Sequence, residues 1–130
     1  MNDSINNYLK AIGSTSGYDV QAAFDECKNL TGIQPDSAFL SEPASSPIWL
    51  FRGTTIFEFK SSTSKGFRVY NIAKKVSDLE INRDTAGDGL LRVTAHVNYS
   101  EPMSLTFKAS GDNIKYLTEL TYSLLIPNLF

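Results

Sequence analysis

The chain has 130 residues, 42% of them hydrophobic, which is the length of one domain and enough apolar material for one core. A formal net charge of −2 excludes the global basic field that nucleic acid would need. The single cysteine, Cys27, excludes an internal disulfide, and no run reaches the roughly 20 apolar residues of a membrane helix.

Residues 1–32 read as a helical segment. Ser4 caps a short helix carrying Ile5, Tyr8, Leu9 and Ile12 on one face, with Gly13 as its stop. Asp19 caps a second, with Val20, Ala23, Phe24, Cys27 and Leu30/Thr31 in one stripe and Gly32 at its end. Neither helix folds alone, so each needs a surface to dock on. Residues 33–47 are turn-rich, with Pro35, Pro43 and Pro47, and Ala38–Leu40 is the one strand candidate there.

From residue 48 to residue 109 the character is antiparallel β. Ile48–Arg52 and Thr55–Lys60 flank Gly53-Thr54 as a hairpin, and Phe67–Ala73, Val76–Asn82, Leu90–Tyr99 and Met103–Ala109 follow. Leu90–Tyr99 shows the cleanest alternation, with Leu91, Val93, Ala95, Val97 and Tyr99 on one face and Arg92, Thr94, His96 and Asn98 on the other. The period then changes. After Ser110-Gly111-Asp112, Ile114, Leu117, Leu120 and Leu124 predict a helix over residues 113–125, stopped before Pro127. Leu129 and Phe130 beyond it either pack back or hook into a partner. The fold class expected is α+β: two N-terminal helices, then a strongly bent antiparallel sheet or partly open barrel of six to seven strands, capped by a C-terminal helix. All of it forms a single domain over residues 1–130.

Three stretches, FRVYNIAKKVSDLEI (67–81), GLLRVTAHV (89–97) and SLTFKASGDNIKYLTELTYSLL (104–125), resemble the bacterial pleckstrin-homology-like domains. The resemblance covers residues 48–125. It implies a partly open barrel closed by the last helix, and a scaffold that binds phosphoinositides, peptides or other proteins. A cone like that of nuclear transport factor 2, with helices first and a curved sheet after, is the alternative, but it gives the last helix no natural place. Fold does not imply function in either case.

Few residues point to chemistry. His96 lies on the polar face of its strand and has no partner identifiable in sequence, so it reads as a solvated histidine. Cys27 lies in an apolar stripe and reads as a small core hydrophobe. In RDTAGDG (83–89), Asp84, Asp88 and Gly89 resemble a calcium loop, but Ala86 takes a ligand position and the stretch reads as a hairpin turn. One cysteine and one histidine do not fill a zinc site, and no phosphate-loop or nucleophile-elbow motif is present. The expectation is a non-enzymatic protein with no cofactor and no catalytic or metal-binding residues.

Two features remain as binding candidates. Lys60, Lys65, Arg68, Lys74 and Lys75 are five bases with no acid among them, an anion- or lipid-binding segment if it is more than a solvated surface. Its first part, Lys60 to Arg68, loosely resembles the basic loop some pleckstrin-homology domains use for inositol phosphates. The other is aromatic: Trp49, Phe51, Phe57 and Phe59 share strands with Ile48, Leu50 and Ile56, so both faces are apolar and both need cover. The N-terminal helices supply that cover internally, or an exposed patch binds another protein.

The leading expectation is a protein-binding module, an adaptor or a small inhibitor of the immunity or anti-defence type. The alternative is a phospholipid or phosphate head-group binder. The opening MNDSINNYLK lacks the basic start and apolar core of a signal peptide, so the expected compartment is the cytoplasm. A partner protein is expected, an anionic lipid is the second choice, and nucleic acid is not expected.

Overall fold

Glycine ends both N-terminal helices. The computed structural model describes residues 3–14, 17–41, 47–59, 66–84 and 89–129. Helix α1 (Asp3–Ala11) is followed by Gly13 at φ +66°, and α2 (Gly17–Thr31) by Gly32 at φ +72°. This left-handed conformation closes the last turn and costs glycine no Cβ clash. The chain divides into two units, one ending at Asn71 and the other beginning at Ile72.

In the first unit, β1 (Ser37–Leu40), β2 (Ile48–Arg52), β3 (Thr55–Phe59) and β4 (Arg68–Asn71) form one antiparallel sheet in chain order. Ala38–Leu40 thus belongs to a true strand, while the strand expected over Phe67–Ala73 is shorter. Register puts Phe39 opposite Trp49, Phe51 opposite Ile56, and Ile56 opposite Tyr70, on one face. Leu50 opposes Phe57 and Ile48 opposes Phe59 on the other, where Phe67 stacks on Phe59 at 4.7 Å. The helices dock as their apolar faces require. Ile5, Tyr8 and Leu9 of α1 and Val20, Ala23, Phe24 and Cys27 of α2 are buried, with α1 against β1 and α2 against β2. The Tyr8 ring lies over Phe39 at 6.4 Å, and its hydroxyl accepts the Leu40 N–H at 3.0 Å.

In the second unit, β5 (Val76–Arg83), β6 (Leu91–Val97) and β7 (Met103–Ala109) form a three-stranded antiparallel sheet. Leu91, Val93, Ala95 and Val97 of β6 and Leu105, Phe107 and Ala109 of β7 are buried on one face. Helix α3 (Ile114–Leu120) packs over β6 and β7, with Leu117 fully buried.

Two expectations need correction. The strands do not make the one bent sheet or partly open barrel expected. They form two sheets, and among the described residues no ladder joins β4 to β5. Between β4 and β5, Lys74 sits at φ +54°, and the Lys75 N–H returns to the Ile72 carbonyl at 3.0 Å. A left-handed residue ends any extended run, so β5 starts afresh beyond it. Nor is the C-terminal helix one α-helix over residues 113–125. A 3₁₀ turn (Gly111–Asn113) leads into α3, a π-helical turn (Thr121–Leu125) follows, and a second 3₁₀ turn (Ile126–Asn128) ends the run. Pro127 offers no N–H to the carbonyl four residues earlier, and the Thr118 and Thr121 hydroxyls donate to the Ile114 and Leu117 carbonyls at 2.9 and 2.8 Å. Both effects loosen the regular ladder where the helix widens.

Candidate functional site

The site is assembled from one strand edge. β5 pairs with β6 on one side, in the register Glu80↔Thr94, Ile81↔Val93 and Asn82↔Arg92. The Asp84 N–H donates to the Leu90 carbonyl at 2.9 Å, which makes residue 84 a hydrogen-bonded position of this ladder. Such positions alternate in an antiparallel pair, so Asp78, Glu80 and Asn82 aim their backbone groups at β6. Leu79, Ile81 and Arg83 therefore aim their N–H and C=O groups away from it.

The outward edge is apolar as well as polar. Leu79 and Ile81 lie on the face that carries the buried Val93 and Ala95, yet Ile81 is 56% exposed. The reason is cover: α3 spans β6 and β7. The C-terminal segment reaches β5 at its start, where Leu129 makes a parallel bridge to Val76, and there Leu129 and Ile126 are exposed. By contrast β7, the other edge, has its apolar residues Leu105, Phe107 and Ala109 buried. β1 and β4 are only four residues long. The eight-residue β5 is the longest described edge on which an apolar layer stops unfinished; on the short β4, Val69 is also exposed.

On the opposite face a polar cluster forms. The Ser104 hydroxyl lies 3.0 Å from His96 Nδ1, and His96 Nε2 lies 3.4 Å from Glu80 Oε2. Cross-strand register creates it, since His96 sits directly opposite Ser104, with Asp78 on its other side. A bulge between Val76 and Asp78 places Ser77 so that its hydroxyl donates to the His96 carbonyl at 3.0 Å. The serine–histidine–carboxylate order matches that of a hydrolytic relay, but the setting does not. Acyl transfer needs N–H donors converging over the attacked carbonyl. Strand N–H groups lie in the plane of the sheet, at right angles to these side chains. The cluster is a surface network, and its Glu80–His96 pair is exposed and worth little by itself.

Comparison of the chain with protein-family models, curated proteins and solved structures found no match. The site therefore rests on its geometry alone.

The residues singled out by sequence fall in different places. Trp49, Phe51, Phe57 and Phe59 are all buried in the first unit, none more than 4% exposed, and so do not form an exposed aromatic patch. The helices dock on the same sheet, α1 against β1 and α2 against β2. Of the basic segment, Lys60 and Lys65 lie outside the described residues. Arg68 is exposed on β4 of the first unit, while Lys74 and Lys75 are exposed in the turn before β5 of the second. The Lys75 ammonium stands 5.2 Å from the centre of the Tyr99 ring. Asp84 and Gly89 flank the β5–β6 connection, and residues 85–88 of the calcium-like stretch lie outside the described residues. Cys27 is buried, and burial, then the nearby Glu26 carboxylate, push its thiol up to about 12. It is an inert core group.

His96 has the partners that sequence did not supply. Ser104 and Glu80 are 8 and 16 residues away. They become neighbours only through hairpin register.

Proposed function

We propose that this chain is a non-enzymatic protein-binding module, an adaptor or small inhibitor, that takes an extended segment of its partner along the free edge of β5. The observation that carries the reading is the position of Ile81. It is an apolar side chain more than half exposed, on an eight-residue edge strand whose alternate backbone groups point outward. A strand laid there would satisfy the outward N–H and C=O groups of Leu79, Ile81 and Arg83. It would also continue the apolar layer over Ile81. Strand addition of this kind draws affinity from main-chain hydrogen bonds and selectivity from alternate side chains.

The test is affinity capture from the native lysate with the wild-type chain and with Ile81→Pro. Proline at residue 81 removes an outward N–H and leaves the ladder to β6 intact, which is where edge strands tolerate it. A stoichiometric partner held by the wild type and lost with Ile81→Pro is the expected result. Binding only to anionic vesicles, unaffected by Ile81→Pro, would overturn the reading in favour of the basic segment.

A further inference from the structure

The β5 edge also carries a charge pattern that bears on what can occupy it. Asp78, Glu80 and Asn82 alternate along the polar face of the strand, all exposed, and Asp84 continues that row in the ladder. The first obvious occupant is a second copy of the same strand, paired antiparallel about a two-fold axis normal to the sheet. That axis leaves every side chain on its own face, so the row 78, 80, 82, 84 meets itself in reverse. Centred on Leu79, the pairing sets Asp78 opposite Glu80. Centred on Glu80, it sets Glu80 opposite its own copy. Centred on Ile81, it sets Asp78 opposite Asp84, and centred on Asn82 it sets Glu80 opposite Asp84. Each of these registers brings carboxylates face to face, and like charges directly opposite destabilise a strand pair. Charge on an edge strand is a recognised guard against self-pairing.

The same row attracts a strand of the opposite kind. We infer that the β5 edge takes an extended segment of a different protein in which basic residues alternate with aliphatic ones, and that it rejects a second copy of this chain. The basic residues stand opposite Asp78 and Glu80. The aliphatic residues stand opposite Leu79 and Ile81, where they complete the apolar layer beside Ile126 and Leu129. No basic residue is required opposite Asn82, because its side chain carries no charge. The inference rests on the edge-docking reading above and adds the chemistry of the partner to it.

The test uses the full chain labelled with nitrogen-15 and two heptapeptides, one of alternating lysine and valine, the other of alternating glutamate and valine. The lysine peptide is expected to shift the amides of Leu79, Ile81 and Arg83, and to bind about tenfold more tightly than the glutamate peptide. The double variant Asp78→Lys, Glu80→Lys, altered at two exposed positions, is expected to reverse that preference. Equal affinity for both peptides at β5 would overturn the inference about charge and leave edge docking standing. Binding of either peptide with β5 silent, or no binding by either, would overturn the inference. Capture of the natural partner that survives Ile81→Pro would overturn edge docking itself. Sedimentation closes the remaining arm: a dimer that dissociates on Ile81→Pro would show that the edge accepts its own copy.

Discussion

The Asp84 N–H donates to the carbonyl of Leu90 at 2.9 Å, and this one bond settles which backbone groups of β5 are inward and which are outward. Counting back by twos assigns Asp78, Glu80 and Asn82 to β6 and Leu79, Ile81 and Arg83 to the open side. The outward residues include the two aliphatic ones of the strand's centre. An edge that is at once hydrogen-bonding and apolar is what strand addition uses, and what proteins otherwise guard against.

The aromatic residues of β2 and β3 hold the first unit together. Phe57 is fully buried, and Phe57→Ala is expected to destabilise the chain by about 3–5 kcal/mol through lost burial and an unfilled cavity. Urea unfolding measures this. An unchanged midpoint together with loss of a partner would mean that the residue is a docking anchor instead.

Cys27 makes stability depend on alkaline pH. Its thiol titrates near 9.0 in its ordinary environment and is pushed up to about 12 in the folded chain. Between those values the unfolded chain has lost a proton that the folded chain retains, so stability falls as pH rises from 9. Below pH 9 both states are protonated and the contribution is fully present. The stability gap between wild type and Cys27→Ala, measured by urea unfolding, is expected to narrow from pH 8 to pH 10.5. At pH 8 the native thiol is expected to resist iodoacetamide and to react on unfolding.

Lys74 holds a left-handed backbone at φ +54°, and its N–H donates to Asn128 Oδ1 at 3.2 Å. Lys74→Gly relieves the Cβ clash, partly offset by the greater freedom of glycine in the unfolded chain. The net expectation is a gain of about 0.5–1 kcal/mol, or roughly 2–4 °C in Tm. Lys74→Ala keeps the clash and is expected to gain nothing. Equal Tm values for the two variants would contradict the strain.

The Ser104–His96–Glu80 network is expected to be chemically silent. A fluorophosphonate should leave Ser104 unmodified, as read by intact mass, because the N–H groups of the strands that carry the network lie in the plane of the sheet, at right angles to its side chains. Stoichiometric labelling, abolished by His96→Ala, would show a working nucleophile.

How much of this was legible in sequence depends on whether neighbours along the chain decided it. Alternation in Leu91–Val97 identified β6 and its buried face, and Gly13 and Gly32 marked the helix ends. The left-handed turn before β5 was not legible, because a lysine at residue 74 carries no sign of a left-handed backbone as glycine would. Pro127 signalled the end of the last helix, but not the widening before it. Ile81 has the same period-two position as a buried residue. Its exposure follows from the order of the strands and from where α3 lies, neither of which is written in β5. The aromatic strands showed that both faces were covered, and the structure shows the N-terminal helices docked on that sheet.

Residue-resolved amide hydrogen exchange along β5, with and without the captured partner, tests the central claim most directly. In the free chain Glu80 and Asn82 are expected to be protected and Leu79, Ile81 and Arg83 to exchange fast. The partner is then expected to protect those three. Protection of Leu79, Ile81 and Arg83 in the free chain, or no change in them when the partner binds, would contradict docking at this edge.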